Sequence, residues 1–116
     1  MDLNEAAAVI VDTLTAAGIR ATIDERDINP PAVWVGPPVM QFRFGKGWEA
    51  SWTLTACVPD TGRGYALAAL GTLVDDVQAA MQWIAVTARP VALQAPGGAA
   101  PLPAYEMTFT QRIGKD

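Results

Sequence analysis

The stretch Trp48-Glu49-Ala50-Ser51-Trp52-Thr53-Leu54-Thr55-Ala56-Cys57-Val58 decides the fold of this chain. Trp48, Ala50, Trp52, Leu54, Ala56 and Val58 share one side of an extended backbone, and Glu49, Ser51, Thr53, Thr55 and Cys57 share the other. Successive side chains of a strand point to opposite faces, so this period of two predicts a strand in a sheet with one buried and one polar face. Just upstream, Val39–Phe44 alternates in the same way, with Met40, Phe42 and Phe44 opposed to Gln41 and Arg43. Gly45-Lys46-Gly47 lies between the two runs and predicts a hairpin that turns at Lys46. Further upstream, Ala32–Gly36 reads as a short apolar strand, cut off from the next by Pro37-Pro38. Proline cannot donate to a strand ladder, so prolines at strand borders point to an edge or a bulge.

Helical spacing flanks this sheet. Leu3, Ala7, Ile10, Leu14 and Ala17 recur at three- and four-residue steps, with Asp2 or Asn4 placed to cap the start and Gly18 to end the helix. The pattern predicts an amphipathic helix over residues 3–17, followed by a short strand at Arg20–Asp24 and a charged turn, Asp24-Glu25-Arg26-Asp27. Leu67, Leu70, Val74, Val77, Met81 and Ile84 predict a second helix over Gly64–Trp83, capped by Asp60 or Thr61. Gly71 inside it costs about 1 kcal/mol relative to alanine, or else permits close packing on the first helix or the sheet. Val86–Ala95 reads as a strand that Pro90 places at an edge or bulge, and Ala104–Ile113 as the closing strand. Ala95–Pro103 between them is a loop. The order of the principal elements is α-β-β-β-α-β-β, which makes an α+β domain of two helices packed on a mostly antiparallel sheet.

Composition bounds what such a domain can do. At 116 residues, 51% hydrophobic and 17% charged, the chain is long and apolar enough for one domain, residues 1–116, with its own core. Eight basic against twelve acidic side chains give a net charge of −4, which disfavours sequence-independent nucleic-acid binding. There is no histidine, and Cys57 is the only cysteine. The commonest general base and metal ligand are therefore missing, as are an intrachain disulfide and a cysteine-built zinc site. No signal peptide or spanning helix is apparent near Met1-Asp2-Leu3-Asn4-Glu5, so the expected site of folding is a cytoplasm.

The residues that invite a chemical reading each have a plainer one. Ser51 and Cys57 lack the base that would activate them, and read as a solvated sheet position and a packing residue. Asp24, Glu25 and Asp27 do not follow the spacing of a calcium loop, and read as a solvated turn. Gly62-Arg63-Gly64 precedes a helix but lacks the rest of a phosphate-binding pattern, and reads as a strand-to-helix turn. Trp34, Phe42, Phe44, Trp48 and Trp52 admit three roles, with core packing first, an interface second, and a base-stacking platform with Arg43 and Lys46 third. No catalytic, cofactor or metal site emerges, and the chain is expected to work through its surfaces rather than as an enzyme.

The whole pattern resembles the tail terminator proteins of long-tailed actinobacteriophages. The likeness is carried by Leu14-Thr15-Ala16-Ala17-Gly18-Ile19, by Ile28-Asn29-Pro30-Pro31-Ala32-Val33-Trp34-Val35, and by the order of Trp48–Val58, the second helix and Tyr105–Ile113. It covers nearly the full length. The resemblance implies a virion subunit, assembled in the host cytoplasm, that forms a homo-oligomeric, hexameric ring. That ring caps the head-proximal end of the tail tube, stops tube growth and joins the tail to a head–tail connector or head-closure protein, with no cofactor and no membrane. Genomic DNA would pass through the lumen without specific binding, which the acidic balance suits. The expected subunit or tube contacts are Pro30, Pro31, Trp34, Arg43, Lys46, Pro96, Gly97, Gly98 and Pro101. A head-closure or connector protein of the phage neck, and a small ligand- or nucleic-acid-binding module, are the alternatives.

Overall fold

Eleven consecutive residues, Gly47–Cys57, form the central strand of a six-stranded sheet in the computed structural model, which describes residues 2–83, 86–94 and 100–113. The elements run α1 (Leu3–Ala16), β1 (Ala21–Thr22), a 3-10 turn (Glu25–Asp27), β2 (Ala32–Val35), β3 (Val39–Arg43), β4 (Gly47–Cys57), α2 (Arg63–Met81), β5 (Ala88–Leu93) and β6 (Leu102–Ile113). The expected α-β-β-β-α-β-β order holds for the longer elements, and the two-residue β1 adds a sixth strand. The strand order is β1-β2-β4-β6-β5, with β3 also paired to β4. All pairings are antiparallel except β1 with β2, which is parallel.

β2 and β3 lie end to end on the same side of β4. Val35 stands opposite Leu54 and Val39 opposite Ser51. Gly36, Pro37 and Pro38 therefore face only Trp52 and Thr53, an excess of one residue that interrupts the ladder as a bulge does. The two prolines occupy positions where no amide donor is needed, and Gly36 N–H still donates to the Thr53 carbonyl at 3.1 Å. Pro90 likewise sits on β5, an edge strand.

Both helices pack on one face of the sheet. Ala7, Ile10 and Leu14 of α1 and Val77 of α2 close over Val33, Val35, Ala50, Trp52, Leu54, Ala56 and Met107. A smaller cluster joins Ala66 and Leu70 of α2 to Val58. Asp2 caps α1 by accepting from Glu5 N–H at 3.1 Å, and Gly18, at φ +83°, lies just past its end. No helix among the described residues is long and apolar enough to cross a membrane.

Several local expectations change. α2 begins at Arg63 behind Gly62, whose φ of +104° suits only glycine, and neither Asp60 nor Thr61 caps it with a side-chain bond. It ends at Met81, where Gln82 turns left-handed, so Trp83 leaves the helix and packs its ring on Phe109 at 5.3 Å. A methyl group on Gly71 would meet nothing within 4 Å, so that glycine serves no close packing and simply weakens the helix. The Arg20–Asp24 strand shrinks to Ala21–Thr22, because Asp24 caps the 3-10 turn by accepting from Arg26 N–H at 3.0 Å. Ile84 lies outside the described residues.

Candidate functional site

The two central strands, β4 and β6, are longer than the helices packed on them. At roughly 3.3 Å per residue β4 spans about 36 Å, whereas α1 at 1.5 Å per residue spans about 21 Å. The surplus forms a three-stranded arm: β3, the first half of β4 and the last residues of β6.

The arm carries an apolar surface on the helix side of the sheet, where no helix covers it. Phe42 and Trp48 are cross-strand partners whose rings meet edge to face at 5.2 Å. Phe42 is 55% exposed, and Phe44, at the hairpin tip, is 95% exposed. Val39, opposite Ser51, is also exposed but lies on the other face of the sheet. Trp48 was expected to be buried with Trp52, yet the two differ because only Trp52 lies over the helices. An apolar cluster of this kind on a projecting element is a candidate interaction surface.

The opposite face of the sheet has no helix on it. Ser51 and Thr110 pair their hydroxyls at 3.4 Å, as do Thr53 and Thr108. Arg43 Nε donates to Glu49 at 2.9 Å, and Arg89 pairs with Glu106. Trp34 shares this face opposite Thr55, and its indole N–H donates to the Ile23 carbonyl at 3.3 Å. These satisfied cross-strand pairs make a flat polar surface. At its far end the face closes: Thr55, placed by alternation on the polar side, is buried, and so is Cys57, in keeping with its reading as a packing residue. Cys57 stands between Ala32 and Ala104, and Thr55 between Trp34 and Glu106.

Chemistry has little to work with. Burial pushes the Cys57 thiol above its ordinary 9.0, partly offset by a hydrogen bond from the Ala32 backbone, so the thiol stays protonated at neutral pH. Native protein is expected to resist a thiol reagent at pH 8 and to label promptly once unfolded, and rapid native labelling would contradict this placement. The shift has a stability consequence. The unfolded state ionises first, so stability conferred by the neutral thiol is intact below about pH 9 and falls as pH rises through the folded value. Among the carboxylates, Asp24 is held below its ordinary value by side-chain hydrogen bonds from Arg26, then by Arg26 N–H. Arg26 grips it through two nitrogens at 3.1 and 3.0 Å, so this turn is closed on itself. Among the described residues no three metal-ligating side chains gather.

The concave surfaces are open. One, about 570 Å³, lies between α2 and the β5–β6 pair and includes Leu67, Leu70, Pro90 and Leu102; another of similar size, about 560 Å³, is lined by Arg89, Glu106 and Thr108. A smaller one, about 300 Å³, lies at the base of the arm beside the start of α1.

The sequence-derived contact residues do not converge. Arg43 and Lys46 sit at or beside the tip of the arm. Pro30, Pro31 and Pro101 belong to the opposite end of the sheet, and the Pro30-Pro31 peptide bond is cis. Trp34 lies on the open polar face. Pro96, Gly97 and Gly98 lie outside the described residues. Phe42, Phe44 and Trp48 had the core as their first reading. The signal that places them otherwise is strand length, since a strand that outruns its helices must present its last apolar residues to solvent. No protein-family model matches the chain, and a search of curated proteins finds no match either.

Proposed function

We propose that this chain is a structural subunit of a ring that caps the head-proximal end of a phage tail tube, ends tube growth and joins the tail to the head connector. One observation carries the reading: the arm projects beyond the helices with Phe42 and Trp48 on its uncovered side and Phe44 exposed at its tip. A domain of this size that exposes aromatic side chains on a protruding hairpin is built to bury them against another protein. Ring formation requires a contact between two different patches of the same chain, closed by rotation. The protruding arm and the concave surfaces elsewhere on the domain are suited to such a contact. The net charge of −4 suits a lumen through which DNA moves without adhering. The α+β architecture is compatible with this reading.

A small-ligand module is less favoured, because the concave surfaces are open and lack convergent buried polar groups. Mass and shape of the purified protein, alone and with tail-tube subunits of the same phage, test the proposal. A closed ring seated on tube ends, with tube length curtailed, is the expected result. A ring seated on the connector instead would assign the chain to the neck. A persistent monomer without tube affinity would overturn the reading.

A further inference from the structure

We infer that the tip of the arm seats Phe44 in the concavity at the arm base of a second copy of this chain, with Lys46 against the acidic start of that copy's α1. The contact rests on the ring reading for its occupant and specifies the surfaces. The tip is convex, apolar and basic. Phe44 is 95% exposed and touches no other ring, while Lys46 has no ion pair among the described residues. The described arm carries Arg43, Lys46 and Arg112 against one acid, Glu49.

The concavity is apolar, and the helix along its rim is acidic. It is lined by Leu3, Ala7, Ile23, Val35, Pro37 and Trp52, with an opening of about 300 Å³. A cavity of about 150 Å³ with apolar walls takes a benzene ring, so a benzyl side chain fits here. The helix that forms one wall has Asp2 as its cap and carries Glu5 and Asp12, with no basic residue from Asp2 to Ala16. A basic tip and the acidic helix at the socket's rim attract each other across copies, whereas two tips, or two such helices, repel. Within one chain the arrangement cannot close, because the tip lies a full β3 strand, about 17 Å at 3.3 Å per residue, from the concavity at its base.

The test uses mixed copies. One carries Lys46→Cys, which keeps Phe44, and the other carries Asn4→Cys on the rim of the concavity. Cys57 is fully buried and contributes no background. Under mild oxidation the mixture is expected to yield disulfide-linked pairs of unlike chains. Adding Phe44→Ser to the first variant should lower that yield at least tenfold. In a second arm, Lys46→Glu should weaken self-association and Glu5→Lys in the same chain should restore it. If tubes are still capped but no unlike pair forms and the charge reversal has no effect, the ring stands and this contact is wrong. If unlike pairs form but the particle holds two copies and ignores tubes, the contact stands and the ring reading fails. A chain that stays monomeric throughout overturns both.

Discussion

Replacing Trp52 by alanine is expected to destabilise the fold by about 3–5 kcal/mol, the largest stability loss of any single truncation in this domain. Trp52 is the largest of the fully buried side chains, at 1% exposure. It sits where β4 passes between β6 and the break separating β2 from β3, under α1. Its removal leaves a cavity that the surrounding strands, fixed by their ladders, cannot collapse to fill. It also strands a polar partner, since the indole N–H donates to Gln111 Oε1 at 2.9 Å. Gln111 is only half-buried and can turn to water, so that second loss adds about 1 kcal/mol. Domains of this size have roughly 5–15 kcal/mol in total, so the variant should sit close to the unfolding threshold. Urea unfolding monitored by far-UV circular dichroism gives the difference directly. A loss below about 1 kcal/mol would mean that the strand does not bury this ring.

The same tryptophan shows how far the sequence could be read. Period-two spacing from Trp48 to Val58 gave the strand, its apolar face and the hairpin with β3, because alternation is a local property of the chain. α1 was equally plain from its spacing, from Asp2 or Asn4 as its cap, of which Asp2 serves, and from Gly18 at its end. The proline-bordered strands were recognisable as interrupted, though only the paired registers reveal that β2 and β3 share one side of β4. What the spacing could not contain is coverage. Trp48 and Trp52 are equivalent by alternation, and Thr53 and Thr55 are too, yet each pair splits between exposed or half-buried and buried. That split depends on where the helices end over the sheet and on which residues of distant strands stand alongside. The contact residues suffered from the same limit. Prolines and glycines announce surface loops, whereas exposed aromatics look like core residues until the layer that should cover them is seen to stop short.

Substituting serine for Phe44 is expected to leave stability unchanged and to weaken self-association about 10²-fold or more, the largest functional effect that a single surface change should have here. The stability half follows from geometry. Phe44 is 95% exposed, lies beyond the last β3 pair and meets no other ring, so folding gains almost nothing from it. The association half follows from interface energetics. Projecting aromatic residues that become buried at the centre of a contact commonly contribute 2 kcal/mol or more, up to about 4, and each 1.4 kcal/mol is about tenfold in affinity. Phe42→Ser provides the internal control. Its ring packs edge to face on Trp48, so the substitution should also cost stability by about 0.5–1.5 kcal/mol. The two variants therefore separate what holds the arm together from what the arm holds. Sedimentation velocity across a concentration series, paired with thermal unfolding, reads both quantities on the same samples. If Phe44→Ser assembles like the parent protein at every concentration, the aromatic tip is not an assembly element, and the case for a ring built through the arm is lost.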